Sequence, residues 1–146
     1  MKITRETDHA TKCVLFLSRS PNQLIPVNEI AKKNDIPRSF LAKILQKLTK
    51  AGIVTSQQGN QGGFQLLRSP QEISLYDIFV TIQGEPHVNG CVVDHKFCNR
   101  VNFCSVHPVW VTIREEIVNK LKGINFSMLY EQEQALRNEN PFLSAT

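Results

Sequence analysis

Residues 27–67, VNEIAKKNDIPRSFLAKILQKLTKAGIVTSQQGNQGGFQLL, decide the fold. Pro26 fixes the approach to a first helix over Val27 to Asn34, and Asp35, Ile36 and Pro37 interrupt it. A second helix runs from Arg38 to Ala51 with Leu41, Ile44, Leu45 and Leu48 on its core face, and Gly52 ends it. Two short helices joined by a turn of about four residues form a helix-turn-helix unit, whose second helix lies in the DNA major groove. Next, Ile53 to Gln57 alternates β-branched and polar residues, and Phe64 to Leu67 does so less cleanly, around the glycine-rich Gln58 to Gly63. This pattern is a hairpin whose tip is too rich in glycine to pack and too polar to bury. Placed directly after a reading helix it is a wing, and its glycines let the backbone approach a phosphate or a minor groove closely. No Lys followed by Ser or Thr closes the glycine run, which excludes a P-loop.

The residues offered to DNA follow from that placement. Lys43, Lys47, Lys50 and the wing backbone face phosphates; Arg38, Ser39 and Gln46 face base edges; Gln57, Gly59, Asn60, Gln61, Gly62 and Gly63 follow the minor groove. Each is also ordinary helix or loop surface when taken singly. The charge is unevenly distributed: residues 1–73 hold 11 Lys and Arg against 5 Asp and Glu, and residues 74–146 hold 6 against 8, which charge alone would read as a solvated basic face. Joined to a mildly acidic half and carrying a helix-turn-helix pattern, the basic half is expected to meet a polyanion.

Toward the amino terminus, Ala10, Cys13, Val14 and Leu17 repeat at helical spacing within Thr7 to Ser18, with Thr4 or Thr7 as cap. Cys13 lies on that apolar stripe and reads as core. Asp8 stands in the first turn, where the helix dipole stabilises a carboxylate. Beyond the wing, Ser74 caps a fourth helix carrying Leu75, Ile78, Phe79 and Ile82, which Gly84 and Pro86 stop. After residue 107, Pro108 opens a long helix on which Trp110, Ile113, Ile117, Leu121, Ile124 and Met128 form one stripe, widened by Val109, Val111 and Val118. A stripe that wide pairs with its symmetry mate, with burial inside the monomer as the alternative. Ser127 is expected to cap a last helix over Met128 to Arg137, before a disordered polar tail.

Between these helices Cys91, Cys98, Cys104 and His107 read C-x6-C-x5-C-x2-H within one polar segment. Thiols and imidazoles are the ligands selected by zinc, iron and iron-sulfur clusters, and the weak helix and strand formers around them describe a loop that a metal would order. Disulfide pairing is disfavoured by the lack of an apolar signal segment before Lys2 and Arg5. A structural zinc site remains open on the spacing of Cys104 and His107. With 41% hydrophobic and 21% charged residues, and no run of membrane-spanning length, the chain is expected to be a soluble cytoplasmic protein with no membrane partner. The expected fold class is mainly α with a small β-hairpin: a winged helix-turn-helix domain at 1–83, a cysteine-rich loop at 84–107, dimerisation helices at 108–137 and a tail at 138–146.

The segments MKITRETDHA (1–10), IPRSFLAKILQKL (36–48) and GIVTSQQGNQGGF (52–64), followed by the cysteine loop, resemble the IscR and NsrR family of winged-helix transcriptional regulators, many of which carry iron-sulfur clusters. The resemblance covers nearly the whole chain. It implies a homodimer joined by the long helix, bound to a near-palindromic operator in double-stranded DNA, with a cluster held near the interface by Cys91, Cys98 and Cys104. For the fourth ligand it offers two candidates: His107, as in IscR-like [2Fe-2S] members, or Asp8 of the partner subunit, as in NsrR-like [4Fe-4S] members. His107 and [2Fe-2S] are favoured, because imidazole is the better iron ligand and Asp8 has a structural role where it stands. The first gap between cysteines holds six residues where the family's usual gap holds five. Two rival classes are weaker. An iron-sulfur storage or delivery protein has no need of a wing after a basic helix. A thiol redox enzyme would want a thiol beside an activating base, and sequence offers only Cys104 near His107.

Overall fold

The computed structural model describes residues 1–143, and in it six α-helices and one antiparallel hairpin follow the order α1 (Arg5–Ser18), α2 (Val27–Asn34), α3 (Arg38–Lys50), β1 (Val54–Gln57), β2 (Gly63–Leu66), α4 (Leu75–Gln83), α5 (His107–Lys122) and α6 (Phe126–Glu139). The mainly α winged-helix class expected from the sequence is the one observed. Thr4 caps α1, its hydroxyl accepting from the Thr7 amide, and Ser74 caps α4 in a capping box with Asp77. Such caps satisfy amides that the first helical turn leaves orphaned, each contributing about 1 kcal/mol. The turn between α2 and α3 is made by Asp35 in the left-handed region at φ 52°, which ends α2 sharply enough for α3 to leave at a new angle.

The apolar stripes meet as their spacing requires. Ala10, Cys13, Val14 and Leu17 of α1 pack against Leu41, Ile44, Leu45 and Leu48 of α3 and Ile78 of α4, all essentially without exposed surface. Each large side chain so buried contributes roughly 1.5–3 kcal/mol. Desolvation pushes the Cys13 thiol up to about 12, so it stays neutral and behaves as a small apolar side chain.

The wing is fastened to the head at its base. Its register pairs Val54 with Leu66 and Gln57 with Gly63, and beyond that ladder Ile25 and Phe64 exchange backbone hydrogen bonds at 2.9 Å each. This third, one-residue strand explains Gly63, where a Cβ would lie 2.3 Å from the Ile25 carbonyl oxygen. Only glycine admits that approach.

The carboxy-terminal third departs from expectation in three places. The apolar stripe after residue 108 is not one helix: Lys122 ends α5, and the backbone of Ile124 and Phe126 pairs with that of Leu75 and Ile73 at 2.9 and 3.0 Å, so Ile124 and Met128 lie beyond the break. Asn125, not Ser127, caps the last helix, its side chain accepting from the Met128 amide. That helix runs to Glu139 and a 3-10 turn covers Pro141–Leu143, so an ordered segment extends well into the expected tail; residues 144–146 lie outside the described residues. The physical reason is shared. Phe126 is fully buried in the head core and Arg19 of α1 pairs with Glu133, so α6 folds back on α1 instead of continuing α5. A periodic pattern carries straight across such a reversal when apolar residues happen to stay in phase.

Candidate nucleic-acid interface and cysteine pocket

The candidate reading face is the outer arc of α3. Arg38, Ser39, Lys43, Gln46 and Lys50 are exposed, at positions that alternate with the buried Leu41, Ile44, Leu45 and Leu48 as a 3.6-residue period demands. Arg38 also lines an open cleft with Pro26, Val27, Gln57, Gly59, Asn60, Gly62 and Gly63, so the start of the helix and the wing tip share one concave surface. Gln57, Gly59, Asn60 and Gln61 are exposed, whereas Gly62 and Gly63 are half-buried. At Gly62 a Cβ would meet the Gln57 carbonyl oxygen at 2.1 Å. Two of the wing glycines therefore have a structural task inside the hairpin besides any contact with DNA. Lys47 differs from its neighbours: its Nζ lies 2.6 Å from Glu6 Oε1 of α1.

The cysteine segment is built as two 3-10 turns, Gly90–Val92 and Val101–Phe103, joined by tight turns. Val93 and Asp94 donate their amides to Gly90 O, Phe97 donates to Asp94 O, and the Asp94 carboxylate accepts from the Lys96 amide at 2.9 Å. These bonds coil the long first gap back on itself. The Phe97 ring then seats on Gly90, where a Cβ would come within 2.5 Å of it, and Cys98 beside it lines the same cavity as Cys91. Nothing in the sequence marked Phe97 beyond its place before Cys98.

Cys91, Cys98, Cys104 and His107 all line one small cavity of about 130 Å³, together with Asn89, Phe97, Val101 and Trp110. Cys91 is buried; the other two thiols and His107 are half-buried. His107 Nδ1 lies 3.5 Å from Cys91 Sγ, and the Arg100 amide donates to Cys98 Sγ at 3.4 Å. The imidazole thus faces the first thiol of the motif, not Cys104 as sequence proximity implied. Cys104 occupies extended backbone between the 3-10 turn and α5, so it does not share a helical face with His107. Among the described residues no three of the His, Cys, Asp and Glu side chains are grouped closely enough to hold a metal ion. In kind, three soft thiols and one imidazole lining a single cavity are donors that fit an iron-sulfur centre. Asp8 is elsewhere on the same chain, exposed on α1 and paired with Lys12 at 2.7 Å.

The root of this loop is gripped from both sides. Gln83 Oε1 accepts from the Thr4 amide at 3.0 Å and the Thr7 hydroxyl at 2.8 Å, and its Nε2 donates to Lys2 O. Glu85 accepts from the Tyr76 hydroxyl and pairs with Arg114 of α5 at 3.0 Å, while Arg114 Nε donates to Pro86 O. Accepting that bond, the Glu85 carboxylate pushes the Tyr76 phenol upward. His107 is itself the first residue of α5, so the cavity and the long helix share a side chain. Within one chain no residue of α5 is buried, despite Trp110, Ile113, Ile117 and Leu121 along it. No helix of the described residues is long and apolar enough to cross a membrane.

Comparison with known proteins agrees with this architecture. The family model Rrf2, described as iron-dependent transcriptional regulator, matches residues 3–132. Protein aau3 of Rhizobium meliloti is 36% identical over 108 residues, covering 73% of this chain and 70% of its own. The helix-turn-helix transcriptional regulator NsrR of Bacillus licheniformis is 26% identical over 110 residues, with 75% and 73% covered. Among solved structures, T. potens IscR superimposes with a TM-score of 0.74 at 21% identity, over 91% of this chain and 88% of that one. CymR of B. subtilis, described as the global cysteine regulator, does so at 0.73 and 20% identity, over 90% and 98%.

Proposed function

Given that the chain belongs to the Rrf2 family of DNA-binding transcriptional regulators, and is not an enzyme, we propose that it is a homodimer whose affinity for a near-palindromic operator is set by an iron-sulfur centre held in the cysteine cavity. The observation that carries this reading is the convergence of Cys91, Cys98, Cys104 and His107 on one cavity at the first turn of α5. Such a centre, when bound, supplies a redox-active and chemically labile group that answers to oxidants, iron supply or nitric oxide. Everything else is done by the chain's own residues. His107 is the favoured fourth ligand, because it already faces Cys91, whereas Asp8 is turned to Lys12; Asp8 of a second copy remains the alternative.

The dimer is supported by the apolar stripe of α5, whose Trp110, Ile113, Ile117 and Leu121 are only half-buried within one chain while Val109 is exposed. Two copies joined there would carry two reading helices onto successive turns of the major groove. Arg38, Ser39 and Gln46 read base edges, Lys43 and Lys50 hold phosphates, and Gln57 to Gly63 follow the minor groove. Rearrangement of the cysteine loop reaches α5 through His107 and Arg114, and reaches α1 through Gln83. A coupling of ~1 to 3 kcal/mol along these connections makes a useful switch.

A second reading is a winged-helix regulator with structural zinc or without a resident metal; the open spacing of the donors and the likeness to CymR favour its metal-free form. The experiment that separates the two is anaerobic purification followed by visible spectroscopy and counting of iron, sulfide and zinc, repeated with His107→Ala and Asp8→Ala. A coloured protein that loses its iron on His107→Ala and keeps it on Asp8→Ala agrees with the first reading. A colourless protein with or without zinc agrees with the second.

A further inference from the structure

Lys47 occupies the rim of the reading helix. It follows Lys43 by one turn and is half-buried, at the edge between the exposed arc of α3 and its core face. Its Nζ meets Glu6 Oε1 at 2.6 Å, with the two side chains 42% and 27% exposed. Glu6 is the only acidic partner it has among the described ion pairs. Lys43 and Lys50, by contrast, are exposed and take part in none of them.

The turn that carries Glu6 is not free to move. Thr4 and Thr7 on either side of it both donate to Gln83 Oε1, at 3.0 and 2.8 Å, and Gln83 returns a bond to Lys2 O at 2.7 Å. Gln83 is the last residue of α4, and Gly84, at φ 92°, opens the cysteine loop directly after it. One helical turn thus touches the root of the loop on one side and the rim of the reading helix on the other.

We infer that Glu6 is an internal competitor for DNA phosphate: it holds Lys47 off the duplex, and Gln83 holds Glu6 in place to do so. This rests on α3 being the groove helix, but not on what occupies the cysteine cavity. A carboxylate and a phosphate cannot both take the same ammonium at full strength, and each phosphate contact a lysine makes adds about 0.9 to the slope of log affinity against log salt. The slope therefore counts whether Lys47 is on DNA.

The test uses the full-length chain and an operator duplex selected by it from a random-sequence pool, with affinity measured by fluorescence anisotropy across a salt series. Glu6→Gln is expected to bind several-fold tighter at low salt and to steepen the slope by roughly one per half-site. Lys47→Gln alone should leave the slope near that of the parent, since Lys47 is withheld there. In the Lys47→Gln background Glu6→Gln should lose its effect, which separates release of one lysine from simple removal of a negative charge near DNA. Gln83→Ala should shift the slope in the same direction as Glu6→Gln and by less. A slope unchanged by Glu6→Gln, or a gain equally large without Lys47, overturns the restraint; an inert Gln83→Ala overturns the role of the loop root. Lys43→Gln tests the groove reading separately. If it weakens binding while Glu6→Gln is inert, only the restraint fails; if both are inert, the placement of α3 on DNA fails with it. Circular dichroism melts of each variant confirm that folded proteins are compared.

Discussion

The amino-terminal head and the segment from Cys91 through α5 are both rich in apolar residues and treat them differently. In the head, helices α1 and α3 together place eight side chains at 1% exposure or less. Helix α5 is longer than either and buries none. Around it Phe103 is 79% exposed, and Phe97, Val106 and Val109 are exposed as well. The head completes its core within the single chain, with Phe126 of α6 inserted into it, so apolar burial is the main term that holds it. The cysteine segment and α5 are assembled from turns, single hydrogen bonds and one ring seated on a glycine, and their apolar side chains other than Cys91 stay half-buried or exposed within the single chain. A DNA-reading unit should be rigid, and a responsive one should be easily rearranged.

Four experiments would break or sharpen that contrast. The largest effect should come from Ile117→Glu on α5. If that face joins two copies, the variant halves in mass by sedimentation and loses orders of magnitude in operator affinity, while its circular dichroism remains helical; an unchanged mass would mean the face is covered some other way. Leu45→Ala in the head should next cost about 2–5 kcal/mol of unfolding free energy in a urea titration, because the cavity it leaves cannot collapse between α1 and α3. The same truncation at Ile117 should cost the isolated chain far less, and equal losses at the two positions would erase the distinction drawn here.

Gly63→Ala falls between the regions in size of effect. Its methyl would press on the Ile25 carbonyl, so more than ~1 kcal/mol should be lost and the wing should loosen, seen as faster amide exchange at Ile25 and Phe64. The smallest effect near neutral pH belongs to Cys13. Its folded value lies above its unfolded one, so burying the neutral thiol stabilises the fold fully below about 9, and this part is lost as pH rises toward about 12. Cys13→Ala should remove that alkaline component from the difference between the two stability profiles. In the parent protein a thiol reagent should label Cys98 and Cys104 without unfolding and Cys13 only with it.

How much of this was legible beforehand divides along the same line. The stripe Ala10, Cys13, Val14, Leu17, the bounds of α2, the start of α3, the Ser74 cap and the hairpin all follow from periodicity and turn chemistry, because each is settled by neighbours within about one turn. The gathering of three thiols and an imidazole into one segment was equally plain. What could not be read there was the partner each residue takes. His107 faces Cys91 from sixteen residues away, Gly63 is required by Ile25, and Glu6 reaches Lys47 across forty-one positions.

By itself, then, the amino-acid order determined which segments of the amino-terminal head are helical, which strands pair, that this half is basic and that thiols and an imidazole cluster beyond it. Those outcomes depend on local propensity and on a solvent that expels apolar side chains whatever their eventual neighbours. The tertiary structure alone decided that α6 returns to α1, that the wing is fastened at Ile25, and that a carboxylate on the first helix holds a lysine of the third. Such choices are made between groups far apart in the chain, where only closure of the whole core sets which of them come within reach.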